Sequence, residues 1–205
     1  MRKEVIASII ANSQKELDER IKKVKFVEKY QLDIMDGKFV KNESFQFDFK
    51  LPKANYEAHL MTKQPELWIN YLAKQVKTFY FHIETTKQPL KLINLIKKHK
   101  RKVGIAISPR TKIEKIKPYL KKIDNVLVMS VYPGKYGAKF LPNTLKKVEN
   151  IRKLVPKINI EVDGAINNKT IELAKNAGAN LFISGSYLQK NKKLGYNKLI
   201  KLIKG

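Results

Sequence analysis

The sequence predicts an α/β protein, a single (β/α)8 barrel of the TIM type with a weak or short second helix. Short runs rich in β-branched and aromatic residues alternate along the chain with longer amphipathic runs. Eight such units within 205 residues favour a closed barrel over an open doubly wound sheet. No linker-like segment interrupts the alternation, so we expect residues 1–205 to form one domain.

The predicted elements follow one another in regular order. The strands cover residues 5–9, 30–35, 56–61, 78–84, 102–107, 125–131, 158–163 and 180–185. A helix over 13–24 begins after Ser13, with Glu16 three residues later, which is the pattern of a capping box. Pro65 suits the first position of the next helix, and Gly178 suits the end of the helix before the last strand. An amphipathic helix ends the chain.

The second unit departs from this regularity. Residues 42–54 have a poor helical pattern, so the helix there is expected to be short or absent. The runs 111–122 and 142–155, after the fifth and sixth strands, are predicted as helices.

Polar and apolar side chains alternate along the predicted strands, so that polar groups share one face and apolar groups share the other. Because the side-chain period of a strand is two, every second residue faces the barrel axis. The opposite faces are apolar and are expected to pack against the helices. The predicted inner residues are Gln31, Asp33, Met35, Glu57, His59, Met61, Gly104, Ala106, Ser108, Asn159, Glu161 and Asp163.

Composition and charge exclude several classes of protein. With 43% apolar residues the chain is globular, and no apolar run is long enough to cross a membrane. It has no cysteine for disulfides or thiolate metal ligands, and we recognise no signal peptide, so a cytoplasmic protein is expected. The 43 basic and 18 acidic residues give a net charge of +25, with lysines spread over all the helical runs. Such spreading is typical of solvated helix faces that attract small anions, and we expect no nucleic-acid partner.

Three polar side chains are predicted near the carboxyl ends of strands. They are Asp33, His59 and Asp163, and catalytic groups of barrel enzymes lie at that rim. Two carboxylates and an imidazole suit a divalent metal, and the carboxylates alone suit general acid and base catalysis. The residue types leave both interpretations open.

A series of motifs runs through the whole chain. The motifs are ASII at 7–10, LDIMDGKFVKN at 32–42, AHLM at 58–61, FHIET at 81–85, VGIAISPRT at 103–111, VMSVYPGKYGAKF at 128–140, IEVDGAI at 160–166 and SGS at 184–186. In this order they resemble the ribulose-phosphate 3-epimerase family. The resemblance implies an enzyme that interconverts D-ribulose 5-phosphate and D-xylulose 5-phosphate, and a homo-oligomer. The alternatives are a ketohexose-phosphate 3-epimerase, acting for example on allulose 6-phosphate, and a sugar-phosphate-binding barrel with weak or lost catalysis.

The resemblance also implies roles for particular residues. Asp33 and Asp163 match the two aspartates that transfer protons at carbon 3 through an ene-diolate. Together with His59 they match ligands of a divalent metal of the Zn, Fe, Mn or Co class. Gln31 stands where the family has a second histidine ligand. This departure leaves three hypotheses: a weaker site with Gln31 as a distant or oxygen ligand, a harder metal such as Mn or Mg, or a lost metal.

The remaining pocket residues are assigned by the same resemblance. Ser8, His59 and the methionines Met35, Met61 and Met129 match substrate-contacting positions. Phosphate-binding backbone is expected at Gly134, Gly137, Gly164, Ala165, Gly185 and Ser186, with Ala165 donating its N–H if it avoids positive φ. Lys135 or Lys139 is a candidate for direct charge on the phosphate. His82 and Glu84 are interpreted as structural residues, and Asp36 as a turn former.

Overall fold

Eight parallel strands close into a barrel in the computed structural model, which describes residues 1–134 and 137–204. Strand β1 pairs with both β2 and β9, so the described sheet has no open parallel edge. A two-residue strand, β3, pairs antiparallel with β2 outside this ring. The strands are β1 Glu4–Ile9, β2 Tyr30–Asp36, β3 Glu43–Ser44, β4 Tyr56–Met61, β5 Val76–His82, β6 Lys102–Ile107, β7 Asn125–Met129, β8 Asn159–Asp163 and β9 Leu181–Ile183. The predicted (β/α)8 barrel is confirmed.

Helices cover the outside of the barrel. They are α1 Gln14–Lys23, α2 Pro65–Leu72, α3 Pro89–Lys98, α4 Leu145–Leu154, α5 Thr170–Asn176 and α6 Ser186–Lys204, the last interrupted at Lys192 with φ 51 and ψ −142. The Ser13 Oγ accepts a hydrogen bond of 3.2 Å from the N–H of Glu16, which confirms the predicted cap of α1. Pro65 is the first residue of α2, also as predicted. No helix of the described residues is long and apolar enough to span a membrane.

One predicted helix is replaced by other structure, and the helix that was expected to be short or absent is absent. Residues 45–55 form no helix, as their poor helical pattern predicted, and Phe45 and Phe49 pack edge to face there at 5.1 Å. After β6 the chain forms two short 3-10 helices, Ile113–Lys115 and Lys117–Lys122, rather than an α-helix. Pro118 lies within the second and has no N–H to donate.

A polar network fills the barrel below its carboxyl rim. The Tyr80 hydroxyl donates to Glu161 Oε2 at 2.9 Å, and Lys29 Nζ lies 3.2 Å from Glu57 Oε2. Burial raises the pKa of Glu161 well above its ordinary value, and the charge of Glu57 raises it further. Tyr80 lies directly over Gly104, where a Cβ would overlap its ring, which explains the glycine at this position of β6. This packed layer is the floor of the cavity described next.

Candidate active site

Asp33, His59 and Asp163 meet at the carboxyl rim of the barrel. Asp33 on β2 is the register partner of His59 on β4, and Asp163 is the last residue of β8. Parallel strands end at one rim, so residues far apart in sequence are brought together there. One ligand atom from each of the three lies within 4.8 Å of the others. The predicted cluster is therefore present in the fold.

Gln31 joins the two carboxylates. Its Nε2 donates one hydrogen bond of 2.7 Å to Asp33 Oδ1 and another of 2.8 Å to Asp163 Oδ2. The side chain is fully buried, and its Oε1 has no hydrogen-bond partner. Burying an amide oxygen without a hydrogen-bond partner costs free energy. The Gln31 Oε1 is therefore a candidate ligand for a bound ion or substrate.

A chain of hydrogen bonds orients the His59 ring. His82 Nδ1 lies 3.0 Å from Glu84 Oε2, and His82 Nε2 lies 2.9 Å from His59 Nε2. Because Glu84 accepts, His82 carries its proton on Nδ1 and accepts on Nε2, so His59 Nε2–H is the donor. This leaves His59 Nδ1 facing Asp33 and Asp163, at 3.2 and 3.3 Å. His82 and Glu84 thus position a rim residue, a role that the sequence did not reveal; Glu84 itself lies in a 3-10 helix after β5 rather than in the strand.

Charges in the cluster depend on one another. Burial raises the pKa of Asp33, and the charge of Asp163 raises it further. Burial alone would lower the pKa of His59, but hydrogen bonds to Asp163 and Asp33 outweigh it and raise the value to about 9. When no metal is bound, the His59 imidazolium is therefore the cation that offsets the negative charge of Asp33 and Asp163. A divalent cation between the same groups would release this proton.

A cavity of about 470 Å³ opens above the cluster. Met35, Met61 and Met129 line its wall and are nearly buried, and Ser8 packs against Gly185. The structure thus brings all the predicted substrate-contacting residues to one cavity. Its lining also includes every residue predicted to bind phosphate: Gly134, Gly137, Gly164, Ala165, Gly185 and Ser186.

Comparison with known proteins gives the family of this chain. The profile of the Ribulose-phosphate 3 epimerase family matches residues 4–189. A ribulose-phosphate 3-epimerase of Schizosaccharomyces pombe is 36% identical over 191 residues, covering 89% of this chain and 83% of the relative. A cytoplasmic isoform of Oryza sativa subsp. japonica is 38% identical over 165 residues, covering 76% and 72%. This chain belongs to the ribulose-phosphate 3-epimerase family.

The likeness to solved structures concerns the fold. A crystal structure of KGPDC from Streptococcus mutans superposes with a TM-score of 0.73, covering 100% of this chain and 98% of that one. Its sequence identity is 13%, so it supports the barrel architecture alone. The family membership rests on the sequence relatives.

The residues of this epimerase-family chain fit a divalent metal. His59 presents Nδ1 to both carboxylates, and the His82 relay fixes that orientation, as is usual around histidine ligands. A half-turn of the Gln31 amide would exchange Nε2 for the unpartnered Oε1 and point an oxygen between Asp33 and Asp163. The donor set is then one imidazole, two carboxylates and an amide oxygen.

Ala165 differs from its expected conformation. The condition that it avoids positive φ is not met, because its φ is 53 and the residue is left-handed. Its carbonyl accepts hydrogen bonds from Asn167 Nδ2 at 3.0 Å and Thr170 Oγ1 at 2.8 Å, which hold this turn. A side chain at positive φ is strained by about 1 kcal/mol, so this epimerase-family chain stores strain at the predicted phosphate turn.

The hydrogen bonds of Asp36 confirm its predicted role as a turn former. Its Oδ1 accepts from the N–H groups of Lys38 and Phe39, at 3.0 and 2.9 Å, and its Oδ2 accepts from the N–H of Lys63 at 2.7 Å. The residue therefore ties the loop after β2 to the loop after β4. It is not among the residues that line the cavity.

The ammonium group that lines the described cavity belongs to a residue that was not predicted from the sequence. Lys190 lines the cavity, whereas Lys139 does not, and Lys135 lies outside the described residues. The only sequence signal was its spacing of four residues, about one helical turn, from Ser186 in the SGS motif.

Proposed function

We propose that this protein interconverts D-ribulose 5-phosphate and D-xylulose 5-phosphate by inverting carbon 3. The observation that supports this most directly is the pairing of Asp33 and Asp163 in a cavity that glycine-rich turns also line. Inversion needs one group to remove a proton and a second group to deliver one to the opposite face. Carboxylates from two separate strands provide that arrangement.

The reaction needs one ionised and one protonated carboxylate, so that one can remove a proton and the other can deliver one. The ionised aspartate takes the proton from carbon 3, which leaves an ene-diolate, and the protonated aspartate gives its proton to the other face. Asp33 and Asp163 exchange these roles in the reverse direction. The raised pKa of Asp33 favours such a mixed pair, because burial and the neighbouring charge disfavour two ionised carboxylates.

A divalent metal fits this reaction. We propose Asp33, His59 and Asp163 as its ligands, with Gln31 Oε1 as an oxygen ligand, and a metal of the Zn, Fe, Mn or Co class. When bound, it would supply positive charge against the ene-diolate oxygens. Gln31 favours the harder members of that class, because an amide oxygen binds zinc less well than an imidazole does.

The other lining residues bind and enclose the substrate. We propose that Met35, Met61 and Met129 exclude water from the ene-diolate and that Ser8 binds a substrate hydroxyl. The N–H groups of the turns at Gly134, Gly137, Gly164, Gly185 and Ser186 bind the phosphate, and the left-handed Ala165 lines the same cavity without donating its N–H. Residues 1–205 would thus act as one ribulose-phosphate-binding domain.

The test is carbon-3 hydrogen exchange in D2O. The protein is incubated with D-ribulose 5-phosphate and, separately, with allulose 6-phosphate, and deuterium at carbon 3 is followed by NMR. We expect deuterium incorporation and xylulose 5-phosphate formation with the pentose, and at least about 10³-fold slower exchange for Asp33→Asn and Asp163→Asn. Asp48→Asn, on an exposed loop, is the matched control. Faster turnover of the hexose would favour the ketohexose alternative, and binding without exchange would favour a barrel that has lost catalysis.

We further infer a homo-oligomer in the cytoplasm. Family resemblance supports the oligomer, and the Oryza sativa relative is itself named a cytoplasmic isoform. Leu67 and Tyr71, 60% and 50% exposed beside the aromatic segment 45–49, are apolar surface that a second copy could cover. Light scattering of the purified protein tests this, and a monomeric mass would contradict it.

A further inference from the structure

We infer that Lys190 is the charged phosphate ligand of this barrel and determines its preference for phosphorylated sugars. The inference deepens the proposed function and rests on it, because it assigns a residue to the phosphate end of the same cavity.

Lys190 is singled out by its location rather than by its type. The chain has 43 lysine and arginine residues, yet among the described residues Lys190 alone of these lines the cavity. The rest of the described lining consists of small, apolar, amide and hydroxyl side chains together with Asp33, Asp163 and His59. Of the many lysine and arginine side chains that give the protein its large net charge, the described lining of the cavity therefore includes one, that of Lys190.

The position of Lys190 matches the phosphate end. Ser186 begins α6 and Lys190 follows it by four residues, so the two side chains lie on the same face, one turn apart. The N–H of Gln189 donates to the Gly185 carbonyl at 3.0 Å, and Asn191 Nδ2 donates to the Tyr187 carbonyl at 2.9 Å, which fixes this turn. Both Ser186 and Lys190 are solvent-accessible, so an incoming anion can reach them.

Lys190 is also available for a ligand. No hydrogen bond or ion pair involves its Nζ within residues 1–134 and 137–204, whereas the half-buried Lys147 donates to two backbone carbonyls and Lys29 is paired with two glutamates. A lysine with no partner beside predicted phosphate-binding backbone has its ammonium group free to contact an anion.

Charge balance gives Lys190 a function. A phosphate dianion brings two negative charges into the cavity, and the N–H groups of the turns offer only partial positive charges. The exposed Lys190 side chain adds a full positive charge that complements the dianion, and Lys190 is not one of the proposed proton-transfer groups. The expected contribution is therefore to binding, with little effect on the chemical step.

The experiment compares Lys190→Ala, Lys190→Arg and the matched control Lys193→Ala, an exposed lysine on the same helix that does not line the cavity. Calorimetry measures the Kd of inorganic phosphate and of D-ribulose 5-phosphate, and kinetics measure KM and kcat. For Lys190→Ala we expect the Kd and KM to rise about 10- to 100-fold with kcat changed less than about twofold. Lys190→Arg should restore most of the affinity, and Lys193→Ala should match the wild type.

Specificity distinguishes a phosphate ligand from a structural residue. Turnover of unphosphorylated D-ribulose should be the same in the wild type and in Lys190→Ala. Equal losses for both sugars, an unchanged Kd for phosphate, or a wild type that does not bind inorganic phosphate would each overturn the inference. If phosphate binding depends on Lys190 but no variant turns over any sugar, the inference stands and the proposed epimerase activity fails.

Discussion

Gln31 on β2 donates a 2.8 Å hydrogen bond to Asp163 on β8, across two intervening strands of the barrel. The same Nε2 donates to Asp33, so one amide group holds both proposed proton-transfer carboxylates. A residue at this position therefore affects their separation, their protonation and any metal between them. By the family resemblance, Gln31 stands where a histidine ligand is expected, and this contact leads to the first prediction.

Gln31→His should raise the affinity for zinc by about 10- to 100-fold, because imidazole is the better zinc ligand. The preference for Mn²⁺ over Zn²⁺ should fall by a similar factor. Competition with a chromophoric chelator measures both constants, and metal content after purification gives an independent reading. Gln75→His, on an exposed position outside the cavity, is the matched control. A Gln31→His protein that gains neither metal nor rate would show that Gln31 does not limit the site.

Glu84→Gln should remove a pH-dependent part of the stability. Burial raises the pKa of Glu84, but hydrogen bonds from His82, Thr111 and the Ser108 N–H outweigh it and lower the value to about 2. Since the folded pKa lies below the unfolded one, this stabilisation is present above about pH 4.5 and is lost as the pH falls toward 2. The difference in free energy of unfolding between wild type and variant should shrink by about 1 kcal/mol from pH 7 to pH 4.

Urea unfolding with EDTA present measures that difference. Glu19→Gln, on the exposed face of α1, should show no such change with pH. A constant difference between wild type and Glu84→Gln over this range would contradict the hydrogen-bonded carboxylate as its source.

Ala165→Gly should stabilise the fold by about 0.5 kcal/mol. Glycine relieves the strain of φ 53, and this gain exceeds the entropy that glycine adds to the unfolded chain. Ala73→Gly, at a φ of −55, should instead destabilise, because no strain is relieved there. Chemical unfolding of both variants is the measurement, and losses of equal size would refute the strain at Ala165.

Gly104→Ala should destabilise the protein by about 2 kcal/mol. A methyl group on Gly104 would overlap the ring of Tyr80, its register partner on β5. Tyr80 cannot move freely, since its hydroxyl donates to Glu161 and accepts from Asn125 Nδ2. Thermal unfolding should show the loss, and the same substitution in a Tyr80→Leu background should cost clearly less. An equal cost in both backgrounds would mean that the ring is not the obstacle.

Local patterns were enough to predict the barrel. Hydrophobic alternation with period two identified the strands and their inner faces, and Ser13 and Pro65 identified helix starts, because each signal spans only a few neighbouring residues. The same patterns also predicted the short or absent helix of the second unit, but they failed at residues 111–122, where an α-helix was expected and two 3-10 helices form around Pro118.

The sequence by itself determined the strand order of this protein and the rim position of Asp33, His59 and Asp163. Only the tertiary structure decided how those groups are connected. The Gln31 bridge spans 132 residues, the His59 orientation depends on β5, and Lys190 reaches the cavity because α6 begins beside β1. Such contacts form only when the barrel closes, since closure and not local preference sets the distances between side chains on different strands.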